Sequence, residues 1–266
     1  MTTVFFLFLF HLSVGLTATL PLVPESAGRK YFKFCSASSA FMTMAALWLL
    51  VRRFGADGGP GALGGAAYPW LVAAVSLSLL ATLLYNRARH FGWAPLLGPL
   101  LWTALLSGVA GVVAAAPGEG RMLVVATDLT SVLLLGAAAA AMVLGHWYLV
   151  VLDLPIAALR RLTVLLIAAL ALRSLVVGIA LAGPVQEGYE NASRVAAGLW
   201  SLDGVFVWMR LLFGLAGPLS LLWFIWKTVE IRSTQSATGI LYVQLFLVMS
   251  GELLAKFLRI TAGLPL

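Results

Sequence analysis

Five charged residues lie within the apolar stretches of the second half of the chain: Asp128, Arg173, Arg210, Glu252 and Lys256. A charged side chain at the centre of a membrane helix costs about 2.5 to 3.5 kcal/mol on insertion scales, so each one needs a partner or a functional reason. Lys256 follows Glu252 by one helical turn and can pair with it. If the group is functional, the arginines could hold an anion such as a haem propionate or a substrate carboxylate, and the carboxylates could relay protons.

Two histidines, His11 and His146, also lie within apolar stretches. Neutral imidazoles projecting from two helices at equal depth are suitable axial ligands of a b-type haem, so we hypothesise that these residues bind haem iron, with Arg173 and Arg210 also contacting the cofactor. The alternatives are a hydrogen bond from each histidine to a neighbouring helix, or contact with a quinone. A zinc or copper site is disfavoured, because no cysteine or carboxylate lies at ligand spacing from either histidine.

The third candidate is the polar stretch from Lys227 to Ser236, where Glu230, Arg232 and Ser233 could form a docking or headgroup site. Ser233 or Thr234 could instead cap the following helix by accepting a bond from an early backbone N–H. The chain contains no phosphate-binding glycine loop, zinc-protease helix or nucleophile elbow. A hydrolase or kinase is therefore disfavoured.

Composition indicates the class of element that must position these residues. Of 266 residues, 62% are hydrophobic and only 10% are charged, and a water-exposed surface cannot be built from so few charges. The net charge of +7 comes from basic residues scattered at segment ends, which argues against nucleic-acid binding. The single cysteine, Cys35, excludes an internal disulfide.

The apolar stretches predict an all-α polytopic membrane protein with about eight transmembrane helices and a single membrane domain over residues 1–266. The predicted spans are Val4 to Leu22, Phe34 to Val51, Tyr68 to Tyr85, Trp93 to Ala115, Leu123 to Leu152, Leu162 to Leu181, Gly204 to Trp226 and Gly239 to Leu258. His11 with Pro21 and His146 with Pro155 occupy similar positions in the first and fifth spans. This similarity suggests two parallel four-helix repeats, with halves at 1–116 and 121–266.

The connections predict the orientation. With eight crossings, the side richer in basic residues carries Arg29, Lys30, Lys33, Arg87, Arg89, Arg160, Arg161, Lys227 and Arg232. By the positive-inside rule that side is cytoplasmic, which places both termini outside. The composition, rich in alanine, glycine and leucine, favours a bacterial inner membrane.

Three functional hypotheses follow. The first is a membrane subunit of a respiratory or other electron-transfer complex that binds b-type haem or quinone; it requires redox partner subunits, because the chain has no soluble domain to supply electrons. The second is a proton- or anion-coupled transporter or channel, with Asp128, Arg173, Arg210 and Glu252 lining the path. The third is a lipid-modifying enzyme that uses Glu230, Arg232 and Ser233. Under the first hypothesis the chain is not catalytic alone.

Overall fold

The computed structural model describes residues 1–54, 121–151, 154–182, 202–264 and 266, with short runs and single positions between 72 and 110. Every regular element whose bounds are described is helical. The helices are α1 (Thr2–Thr19), α2 (Gly28–Phe54), α3 (Arg121–Val150), α4 (Ala157–Ala182), α5 (Leu202–Leu211), α6 (Gly217–Glu230) and α7 (Thr234–Ala262). Short 3₁₀ turns, Leu20–Leu22 and Glu25–Ala27, connect α1 to α2, and a π-helical turn, Leu212–Ala216, joins α5 to α6.

The described residues contain 6 helices long and apolar enough to cross a bilayer, so the chain is a multi-pass helical membrane protein. The α5, π and α6 segments together form one of these spans. The third and fourth spans expected from the sequence, at 68–85 and 93–115, lie largely outside the described residues. The observed α7, Thr234–Ala262, extends beyond the predicted Gly239 to Leu258 at both ends. The prediction followed the apolar stretch, whereas the helix continues into the polar residues that flank it.

Contacts along the helices give their relative directions. Ser13 of α1 bonds Ser39 of α2, and Thr17 bonds the same Ser39, while Phe6 and Leu50 share an apolar cluster nearer the start of α1. These pairs run in opposite order along the two helices, so α1 and α2 are antiparallel. The contacts of α1 with α3 run in the same order along the chain. His11 bonds Ser131, and farther along, the Trp147 indole donates to the Ala27 carbonyl in the turn after α1. The two helices α1 and α3 are therefore parallel.

These directions define two ends of the bundle. The basic end carries the turns between α1 and α2, between α3 and α4, and between α6 and α7; the far end carries the starts of α1, α3 and α5 and the ends of α2, α4 and α7. The described basic residues of the basic end are Arg29, Lys30, Lys33, Arg160, Arg161, Lys227 and Arg232. The expectation that this end faces the cytoplasm stays a prediction.

Glycines bring α1 and α3 into backbone contact near the middle of the bundle. A Cβ atom on Gly15 would lie 2.8 Å from the backbone nitrogen of Gly136 and would also collide with the Val132 carbonyl oxygen. The residues that follow Gly136 on α3, Ala137 to Ala141, are buried as well. Small side chains let the two helices approach closely, which is how membrane helices gain packing energy without a hydrophobic driving force between them.

The π-helical turn lies directly before Pro218 of α6. Proline has no backbone N–H, so it cannot donate to the carbonyl four residues earlier, which belongs to Gly214. A wider turn is a recognised way for a helix to absorb such a defect. Pro218 therefore accounts for the π-helical turn that precedes it.

A buried ionic network as the candidate functional site

The Glu252 carboxylate of α7 is the centre of a buried ionic network. Its Oε1 accepts hydrogen bonds from Arg173 Nε at 2.9 Å and from Arg210 Nη2 at 3.0 Å. Its Oε2 accepts from Arg173 Nη2 at 3.1 Å and from Lys256 Nζ at 3.4 Å. The expected pairing of Glu252 with Lys256 on one helix is present, but the shorter bonds come from arginines on α4 and α5.

Arg173 of α4 also reaches α3 and the end of the chain. Its Nη1 donates to the Thr127 carbonyl at 2.9 Å and to the Thr130 hydroxyl at 3.3 Å, and its Nη2 donates to the Leu266 backbone oxygen at 3.1 Å. With the two bonds to Glu252, all of its guanidinium nitrogens have acceptors. This arrangement uses the planar fork of arginine, which a lysine cannot reproduce.

A second group of residues joins the network at Ser131 of α3. The Ser131 hydroxyl accepts from Lys256 Nζ at 2.7 Å and lies 3.3 Å from His11 Nδ1. The other ring nitrogen, His11 Nε2, lies 3.9 Å from Asp128 Oδ1, and that same oxygen accepts from Arg259 Nη1 at 2.6 Å. The network thus connects α1, α3, α4, α5 and α7.

Helical spacing explains why these side chains converge. Glu252, Lys256 and Arg259 follow one another at intervals of four and three residues, so they share one face of α7. Counting about 1.5 Å per residue from the middle of each span, Arg173 and Glu252 lie roughly 6 Å toward the far end. Only Arg259, which is 13% exposed, approaches the surface.

The charges of the network side chains do not cancel. Four cations, Arg173, Arg210, Lys256 and Arg259, face two carboxylates, Asp128 and Glu252. An excess of buried positive charge is costly in an apolar interior, so such a group favours the entry of an anion or a change in protonation.

Several polar atoms of the network have no hydrogen-bond partner. They are His11 Nε2, Asp128 Oδ2, and Arg210 Nε and Nη1. Arg210 Nη1 lies against Gly214 and Gly251, where α7 crosses the π-helical turn so closely that a Cβ atom on Gly214 would lie 2.9 Å from the Gly251 Cα. Buried groups of this kind are rare in folded proteins, and four of the seven such side-chain atoms found among the described residues belong to the network, so this part of the bundle is the candidate functional site.

The two histidines of the haem hypothesis are not brought together. His11 bonds Ser131, whereas His146 is exposed and bonds the Tyr242 hydroxyl at 3.1 Å. Ser131 and His146 are fifteen residues apart on α3, which is about 22 Å along the helix. The two imidazoles are therefore not placed as axial ligands of one haem, and haem binding, quinone binding and redox partner subunits stay predictions.

The polar turn between α6 and α7 does not assemble the three side chains considered for a headgroup site. Glu230 pairs with Lys227 at 2.9 Å, and both side chains are exposed. Arg232 has a positive φ of 58°. Ser233 occupies the N-cap position of α7, but its hydroxyl donates to Ser236 Oγ at 3.0 Å and makes no side-chain cap bond to the helix backbone, so the capping expectation was wrong.

Sequence reasoning identified Asp128, Arg173, Arg210 and Glu252 but missed the contributions of Ser131 and Arg259. Arg259 lies just beyond the predicted end of the eighth span at Leu258, but it follows Glu252 by seven residues, a spacing that keeps both on one helix face. The alternative to haem binding, a hydrogen bond from each histidine to a neighbouring helix, is present for both: His11 bonds Ser131 of α3, and His146 bonds Tyr242 of α7. No group of three or more histidine, cysteine or carboxylate side chains suited to a metal occurs among the described residues.

Comparisons with known proteins add no assignment: no family model matches the chain, and neither the curated proteins nor the solved structures contain a significant match.

Proposed function

We propose that the protein is an ion-coupled membrane transporter that moves protons together with a small anion through the buried network. The observation that carries the proposal is the set of unpaired atoms on Asp128, His11 and Arg210, all within spans that cross a bilayer. Ionisable residues inside membrane helices commonly mark ion or substrate paths. A purely structural network would be expected to satisfy its buried groups.

The proton site of this proposal is the pair formed by Asp128 and His11. Asp128 Oδ2 has no donor, and His11 Nε2 lies 3.9 Å from the other carboxylate oxygen, so both groups can accept or release a proton without breaking a hydrogen bond of their own. Arg259, which is partly exposed at the far end, holds Asp128 Oδ1. Protonation of Asp128 would weaken its ion pair with Arg259 and raise the net positive charge of the network by one.

The anion site of this proposal is Arg210. It donates to Glu252 through Nη2 only, which leaves Nε and Nη1 for an anionic group. The close crossing of Gly214 and Gly251 covers Nη1, so an anion gains access only when the π-helical turn and α7 separate. Because π-helical turns are frequent at functional sites, this turn is a reasonable place for that movement.

Proteoliposomes provide the test. Purified protein is reconstituted with a pH-sensitive dye inside, and gradients of chloride, phosphate, acetate or lactate are imposed in turn. We expect internal pH to change faster than in protein-free liposomes for at least one anion, and Asp128→Asn and Arg210→Gln to abolish the difference. Arg52→Gln, an exposed residue stacked on Trp48 at 5.1 Å, is the matched control and should retain the flux.

Equal flux in the two network variants and in the unchanged protein would overturn the proposal. So would the absence of flux above protein-free liposomes with all four anions, provided that circular dichroism shows the reconstituted protein to be folded.

A further inference from the structure

A second charged site lies at the opposite end of the bundle from the ionic network. We propose that the first turn of α4 binds the phosphate of an anionic phospholipid between Arg160 and Arg161, with an acyl chain along the outer face of α4. This proposal does not depend on the transport function. It rests on the charge of the two arginines, the groove between them and the apolar stripe that continues the groove.

No acidic side chain among the described residues pairs with the two arginines at this place. Arg160 and Arg161 are both exposed, and the first turn of α4 contains no acidic residue. Among the described residues neither arginine forms an ion pair. Glu230 interacts electrostatically with Arg160 at longer range, but its carboxylate is paired with Lys227 at 2.9 Å. Positive side chains at a helix N-terminus also repel the positive end of the helix dipole, so a bound anion relieves both effects.

The surface has a shape that suits a lipid headgroup. An open groove of about 400 Å³ is lined by Ala157, Arg160, Arg161 and Val164. The Arg160 guanidinium lies 5.3 Å from the centre of the Trp226 ring, which holds it in place while leaving its hydrogen-bond donors available. Arginine forks match phosphate oxygens two at a time, and tryptophan is the residue most typical of the headgroup level.

The groove continues into the apolar face of α4. Val164, Leu172, Leu175 and Ile179 are all exposed and recur at helical spacing toward the far end. A phosphate held by the arginines therefore has its acyl chains directly over an apolar stripe. Free phosphate would gain nothing from that stripe, so the site favours a lipid over a soluble phosphate.

Native mass spectrometry of the detergent-solubilised full chain tests the proposal. The protein is titrated with phosphatidylglycerol, with phosphatidylcholine of the same chain length, and with inorganic phosphate. We expect preferential binding of phosphatidylglycerol, and about a fivefold loss of affinity for each arginine removed, as expected for one basic residue at a membrane surface. Arg160→Gln with Arg161→Gln should therefore bind it about 25-fold more weakly than the unchanged protein.

Two further variants keep the result interpretable. Arg160→Lys with Arg161→Lys retains the charge but loses the fork, and should fall between the unchanged protein and the glutamine variant. Arg52→Gln removes an arginine stacked on Trp48 at the far end and should leave the affinity unchanged. Equal affinity in the double glutamine variant, equal binding of phosphatidylcholine, or binding of inorganic phosphate as strong as that of the lipid would each overturn the proposal.

Discussion

The Arg173 guanidinium and the Glu252 carboxylate form a two-bond ion pair between α4 and α7, with Nε to Oε1 at 2.9 Å and Nη2 to Oε2 at 3.1 Å. Both side chains are almost completely buried. The same carboxylate also holds Arg210 and Lys256, so one anion compensates three cations that belong to three helices. The stability of the second half of the bundle therefore depends strongly on Glu252.

The first prediction concerns that dependence. Replacement of Glu252 by glutamine leaves three buried cations without a carboxylate, and we expect the free energy of unfolding in mixed micelles to fall by about 3 to 5 kcal/mol, the usual cost of removing one partner from a buried ion pair. The matched control is Glu230→Gln, which removes the carboxylate of the exposed pair with Lys227. A loss no larger than that of the control would contradict the central role of Glu252.

The second prediction concerns the helix crossing of α1 and α3. A Cβ atom on Gly136 would collide with the backbone of Gly15, so Gly136→Ala must push the two helices apart. We expect a destabilisation of about 1 to 3 kcal/mol, typical of overpacking, measured as the change in unfolding free energy. Gly178→Ala on α4 is the control, because no other side chain or helix lies within 4 Å of the position that its Cβ atom would take. If the two variants unfold alike, the close contact is not present in solution.

The third prediction addresses the histidines. Because His11 and His146 contact different partners about 22 Å apart along α3, we expect no Soret band in the purified protein that depends on both residues. Absorption spectra of the unchanged protein, His11→Ala and His146→Ala provide the measurement. A Soret band that survives purification and disappears in both variants would show that the two imidazoles share a haem, and would contradict their separation in the bundle.

Local sequence was sufficient to predict the class of protein and the positions of the described spans. Hydropathy over about 20 residues depends only on composition, so the six described spans were expected at nearly their observed places, whereas the π-helical turn within the span of α5 and α6 was not. Long helix ends, such as Thr234 to Thr238 of α7, were missed because polar residues at a membrane interface remain helical. The expected repeat of four helices is not established, since half of its first copy lies largely outside the described residues.

The sequence also identified Asp128, Arg173, Arg210 and Glu252, because each of these charges has to be accounted for in hydrocarbon. It did not identify their partners. Pairing depends on how each helix is rotated and on which helices are neighbours, and hydropathy along the chain determines neither. Only the tertiary structure placed His11 beside Ser131 and Asp128, and His146 beside Tyr242.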